Sequence, residues 1–113
     1  MATLTIETVD EDGLNATYNS AAAGGDQFAN NGEIILHVKN ANVGAARTVT
    51  VDAPTVCNRG STHDSVTTVP LSSDRFIGPF PTAYYNDANG NCQITYSDSG
   101  ADITVAVLKV PKS

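Results

Sequence analysis

Tryptophan is absent from this chain, methionine occurs once, and aromatic residues make up only 6%. A core built on large rings is excluded, so each of the few phenylalanines and tyrosines carries weight. Basic residues are scarce as well: six Lys and Arg stand against twelve Asp and Glu, for a net charge of −6. Such a surface repels phosphate backbones and anionic lipid, so neither nucleic acid nor a membrane is expected as a partner. Arg47, Arg59 and Arg75 are scattered and make no basic patch. No apolar run approaches the length of a membrane span, and no basic and apolar leader follows Met1, which reads either as a mature fragment or as synthesis and retention in a cytoplasm. Only Cys57 and Cys92 are present, which allows one bridge. In a cytosolic product two reduced thiols are the default, the alternative being a bridge at one end of the fold. Asn15-Ala16-Thr17 matches a glycosylation acceptor, which means nothing without secretion.

What is there points to strands. At 113 residues the chain is one domain, and a chain of this size buries about 65% of its unfolded surface, enough for a core without staples. Charged residues are only 16%, so the polar surface comes from Thr, Ser, Asn and Asp. With abundant Val and nine Gly, that is the composition of strands joined by tight turns. The segment Arg75-Phe76-Ile77-Gly78-Pro79-Phe80-Pro81 sets apolar side chains beside a glycine and two prolines. Proline lacks a backbone donor, so a strand through Phe76 and Ile77 must end, or lie on a sheet edge, by Pro79.

Period-two alternation predicts strands over Thr3–Val9, Leu14–Tyr18, Glu33–Lys39, Ala46–Asp52, Ser65–Pro70, Arg75–Phe80, Cys92–Ser97 and Asp102–Val110. The third and fourth of these read as a hairpin around Asn40–Ala45. The last is apolar on both faces, as a central strand covered on both sides would be. Ser20–Gly32 reads as an extended loop whose one large apolar anchor is Phe28, since Ala21-Ala22-Ala23 runs at once into Gly24-Gly25. Ala53–Asp64 and Pro81–Asn91 read as loops, and Asn89-Gly90 favours a type I′ turn. The expected architecture is a single all-β domain over 1–113. It is an antiparallel β-sandwich of seven or eight short strands, immunoglobulin-like or jelly-roll-like, with no significant helix.

No catalytic constellation stands out. His37 alternates with core positions, so a solvent-facing side chain is expected, and metal binding would need partners that the spacing does not supply. His63-Asp64, with Cys57, Ser61 and Ser65 nearby, could be drawn as a triad, but no oxyanion site or constrained nucleophile turn accompanies it. Asp87, Asn89 and Asn91 alternate as in a calcium loop, yet glycine falls at the fourth position rather than the sixth, and a hairpin turn accounts for the same residues. Asp10-Glu11-Asp12 reads as a solvated turn. No enzyme activity, metal or cofactor is expected.

In collinear order the chain carries Gly25-Asp26-Gln27-Phe28-Ala29-Asn30-Asn31-Gly32, the Ile34-Ile35-Leu36-His37-Val38-Lys39-Asn40 strand and Thr48-Val49-Thr50-Val51. Cys57-Asn58-Arg59-Gly60 with His63-Asp64 follow, then Ile77-Gly78-Pro79-Phe80-Pro81 and Tyr85-Asn86-Asp87. Thr95-Tyr96-Ser97 and Val105-Ala106-Val107-Leu108 close the series. Taken together, these resemble a family of small proteins of tailed bacteriophages and prophages, assigned to the head as decoration or cement proteins. The family often has proline where this chain has Ala29, and it carries no catalytic residues to transfer. The resemblance implies attachment to the outer surface of the major capsid protein lattice, as a homo-oligomer (dimer or trimer), on a virion assembled in the host cytoplasm. Contact residues are expected at Asp26, Phe28 and Asn30 and along Phe80, Tyr84, Tyr85 and Asn86, the aromatics being the natural anchors. Phe28 and Phe80 could instead cap the core. The alternative function is a virion recognition module for a host surface or glycan, or a head or tail appendage.

Overall fold

Two five-stranded sheets stacked face to face form the body of the computed structural model, which describes residues 2–54, 64–97 and 100–110. Ten strands occur along these residues: β1 (Ala2–Thr3), β2 (Ile6–Thr8), β3 (Asn19–Ala21), β4 (Asp26–Ala29), β5 (Ile34–Asn40), β6 (Arg47–Val51), β7 (Ser65–Val69), β8 (Ser73–Ile77), β9 (Asn91–Tyr96) and β10 (Gly100–Lys109). One helical turn, α1 (Thr82–Tyr85), lies between β8 and β9. The first sheet runs β1-β4-β9-β6-β7. The second runs β2-β10-β5-β8, with β3 also on β10. The chain is thus an all-β sandwich, as its composition implies, and no helix is long and apolar enough to cross a membrane among the described residues.

Alternation explains the core. Ile34, Leu36 and Val38 of β5, Val49 and Val51 of β6, Ile94 of β9 and Ile103, Val105 and Val107 of β10 are all essentially inaccessible between the sheets. Ala106 and Leu108, on the opposite face of β10, are buried too, so this strand is central and covered on both sides as expected. Most strand pairs are antiparallel, but β1 lies parallel to β4 and β2 parallel to β10. The single strand anticipated over Thr3–Val9 is therefore split at Leu4 and Thr5, its two halves serving different sheets.

The hairpin expected from β5 and β6 does not form. β5 pairs with β10 and β8 in one sheet, while β6 pairs with β7 and β9 in the other. The connection is an arch across the sandwich, and buried Asn40 braces it. Its Nδ2 donates to Ala45 O (3.0 Å), Val69 O (3.2 Å) and Pro70 O (3.3 Å), and its Oδ1 accepts from Asn42 N (3.0 Å). One amide so ties the 41–46 arch to the second arch between β7 and β8, satisfying backbone groups that a hairpin ladder would otherwise serve. Strand β4 lies where a loop was expected, because the ladder to β9 orders it, and the strand expected at Leu14–Tyr18 lies instead at Asn19–Ala21. β8 ends at Ile77, ahead of Pro79 as expected, and it also lies at the sheet edge.

Candidate functional site

The chain leaves β8 through Gly78 (φ +122) and a cis peptide to Pro79, then drives Phe80 into the core, where it is 2% exposed. Phe80 packs on Phe28 at 5.9 Å between ring centroids and on Tyr85 at 5.3 Å, edge to face. Helix α1 follows: Tyr84 N and Tyr85 N both donate to Pro81 O, and Asn86 N donates to Thr82 O. Within that turn Tyr85 rests against the core, and Tyr84 points out, 43% exposed.

Two asparagines lock the turn to the end of β4. Asn86 Oδ1 accepts from Asn30 Nδ2 (2.7 Å), Asn86 Nδ2 donates to Asn30 O (2.9 Å), and Asn30 Nδ2 also donates to Phe80 O (2.9 Å). Cys92 sits at 3.7 Å from the same Asn86 oxygen. Behind it, Asp87 Oδ1 accepts from Asn89 N and Asn91 N, and its Oδ2 accepts from Gln93 Nε2. Those bonds hold the Asp87 carboxyl below its ordinary value, the Asn91 amide contributing most. This carboxylate is occupied as a turn-former, but the turn leads from α1 into β9, whose partners are β4 and β6, so the hairpin expected here does not form. Nor is the turn of type I′, because Gly90 alone among its residues takes a positive φ.

Of the expected contact residues, the structure brings Phe28, Asn30, Phe80, Tyr85 and Asn86 into one cluster and places Tyr84 on its outer side. It also corrects their role. Phe28, Asn30 and Phe80 are buried, so they support the surface rather than form it. Asp26 is buried as well, inside the sandwich: it accepts from Tyr96 Oη at 2.7 Å and more distantly from Ala22 N, while its Oδ1 has no partner among the described residues. Burial first, and then the Asp26 carboxylate, push the Tyr96 hydroxyl well above the usual tyrosine value.

Burial also pushes the Cys92 thiol up to about 12. A thiol held protonated in the core is a poor nucleophile. In a Cys57→Ser chain, a disulfide reagent at neutral pH is expected to label Cys92 only when denaturant is added. Fast stoichiometric labelling of the folded chain would contradict this placement. Because the unfolded thiol ionises first, stability should fall as pH rises above the ordinary thiol value toward 12.

A second polar cluster was not legible in the sequence. His37, expected to face solvent, is 8% exposed on the outer side of β5. Its Nδ1 lies 2.6 Å from Tyr18 Oη and its Nε2 lies 2.6 Å from Asp74 Oδ2. A carboxylate needs a donor, so Nε2 carries a proton toward Asp74, and in the neutral ring Tyr18 then donates to Nδ1. Phe76 stacks on the imidazole at 4.0 Å with 9° between planes, and Lys39 Nζ sits 4.0 Å over the Tyr18 ring. The His37 hydrogen bond holds the Asp74 carboxyl low, with the charges of Lys39 and Arg75 acting in the same direction. The signal was the pairing of β5 with β8, which sets His37 opposite Phe76 and is invisible before the register is known.

His63, Cys57, Ser61 and Arg59 lie outside the described residues. Among the described residues no group of three His, Cys, Asp or Glu is placed to hold a metal ion. No protein-family model matches the chain, nor does any curated protein or solved structure.

Proposed function

We propose that this protein decorates a tailed-bacteriophage head, binding the outer surface of the major capsid protein lattice in many copies through the end that carries Tyr84. The observation that carries this reading is the presentation of Tyr84 on a turn clamped from beneath by Phe80, Tyr85 and the Asn30–Asn86 amide pair. An aromatic whose turn is already ordered loses little conformational freedom on docking, which is what makes an anchor effective. The collinear motifs named above support the same reading, and a net charge of −6 suits a particle exterior that should not capture nucleic acid. Each contact can be modest, roughly 800 Å² per side, because the lattice repeats the site and oligomerisation of the module adds avidity.

The test is to mix purified chain with empty heads that lack it and to image site occupancy. Tyr84→Ala removes an exposed ring and should leave the melting curve unchanged. As a hot-spot residue its loss should weaken binding by about 2 kcal/mol, roughly thirtyfold. Wild-type occupancy by the folded variant would overturn this reading. The glycan-binding alternative is weaker, because the polar groups next to Tyr84 that a sugar would use, on Asn86 and Asp87, are engaged in holding the turns.

A further inference from the structure

We propose that a hollow on the flank of α1, lined by Gly32, Glu33, Ile35, Pro79 and Val110, receives an arginine side chain from the partner surface. Given that the Tyr84 end is the contact, on which this proposal rests, the capsid lattice must present that arginine beside Tyr84. The hollow measures about 330 Å³. It adjoins the turn that carries Tyr84, since a Cβ built on Gly32 would stand 3.8 Å from Thr82 Cγ2 at the start of α1.

The lining selects the occupant. Ile35, Pro79 and Val110 offer aliphatic surface, and Val110 is 47% exposed. Glu33 supplies the one charge in the lining, and its carboxylate forms no ion pair among the described residues. Lys109, next to Val110 in the chain, lines a separate hollow with Ile6, Asn30 and Ile34. An acidic side chain entering beside Glu33 meets like charge, and a purely aliphatic one buries the carboxylate without a partner. An arginine satisfies both halves of the site. Its methylene stem lies along Ile35, Pro79 and Val110 while its guanidinium pairs with Glu33. The planar, weakly hydrated guanidinium suits this apolar rim better than a lysine ammonium. The backbone of Glu33 is held on both sides, its N–H donating to Asn31 Oδ1 (3.0 Å) and its carbonyl accepting from Val110 N (3.1 Å). The carboxylate therefore projects from a fixed point, which lowers the ordering cost of docking. With twelve acids against six bases, the chain as a whole also draws a basic partner.

The experiment has two arms. In the first, the labelled full chain is titrated with acetyl-arginine-methylamide and, separately, with its neutral isostere acetyl-citrulline-methylamide, following backbone amide shifts. The arginine probe should shift Gly32, Glu33, Ile35 and Val110 with a Kd of about 1–10 mM, in keeping with so small a ligand, and should spare the acidic turn Asp10-Glu11-Asp12. Glu33→Gln should weaken it about fivefold, the upper end for a partly exposed ion pair, while the remaining spectrum stays native. In the second arm, Glu33→Gln should lower occupancy of empty heads by a similar factor and flatten its salt dependence, because the charge that salt screens is gone. Absence of shifts, equal shifts with the citrulline probe or at the acidic turn, or wild-type behaviour of Glu33→Gln in either arm would overturn the pocket. The Tyr84 reading falls on a different result, wild-type occupancy by Tyr84→Ala, so the two failures are told apart.

Discussion

Phe28→Ala is expected to cost about 3–5 kcal/mol, the range for deleting a phenylalanine from a packed core. Phe28 is 0% exposed and meets Phe80, which in turn carries Tyr85, so its removal undermines the whole support of α1. For a domain whose total stability is about 5–15 kcal/mol, that loss leaves a marginal or unfolded chain. Denaturant titration measures it, and Phe28→Leu gives a milder version should the alanine variant fail to fold. A shift below about 1 kcal/mol for Phe28→Ala would mean that the ring is not the keystone described here. In this variant, reduced binding to heads would follow from lost structure, which is why Tyr84→Ala and not Phe28→Ala reports on the contact.

The second large effect is expected at Gly25. Its φ is +89, and a Cβ there would stand 2.4 Å from the Ile94 carbonyl oxygen. Ile94 pairs with Asp26 on one side and Val51 on the other, so its carbonyl cannot retreat without breaking two ladders. Gly13 offers the matching control, with φ +94 and nothing within 4 Å of a built Cβ. Gly13→Ala should therefore show backbone strain alone, about 1–2 kcal/mol. Gly25→Ala should exceed it by at least about 2 kcal/mol, as expected of overpacking against backbone. Equal melting shifts for the two variants would show that β4 and β9 are not so closely apposed.

The all-β class followed from composition and from alternation in β5, β6, β9 and β10, because burial of one sheet face imposes a period of two on any strand. The end of β8 before Pro79 was equally local, since a proline cannot serve an interior ladder. Phe28 and Phe80 are core residues, the alternative that the sequence left open, whereas the burial of Asp26 and Asn30 was not foreseen. An aromatic in a loop-like stretch reads alike whether it faces solvent or another ring, and only the β4–β9 ladder turns Phe28 inward. Which strands pair is likewise a non-local matter. Asn40 joins carbonyls contributed by two arches, and His37 acquires its partners Tyr18, Asp74 and Phe76 from residues 19 to 39 positions away in the chain. Local pattern determines which residues form strands and which face of each is apolar. The arches alone decide which strands meet, and with that which side chains stand free at the surface.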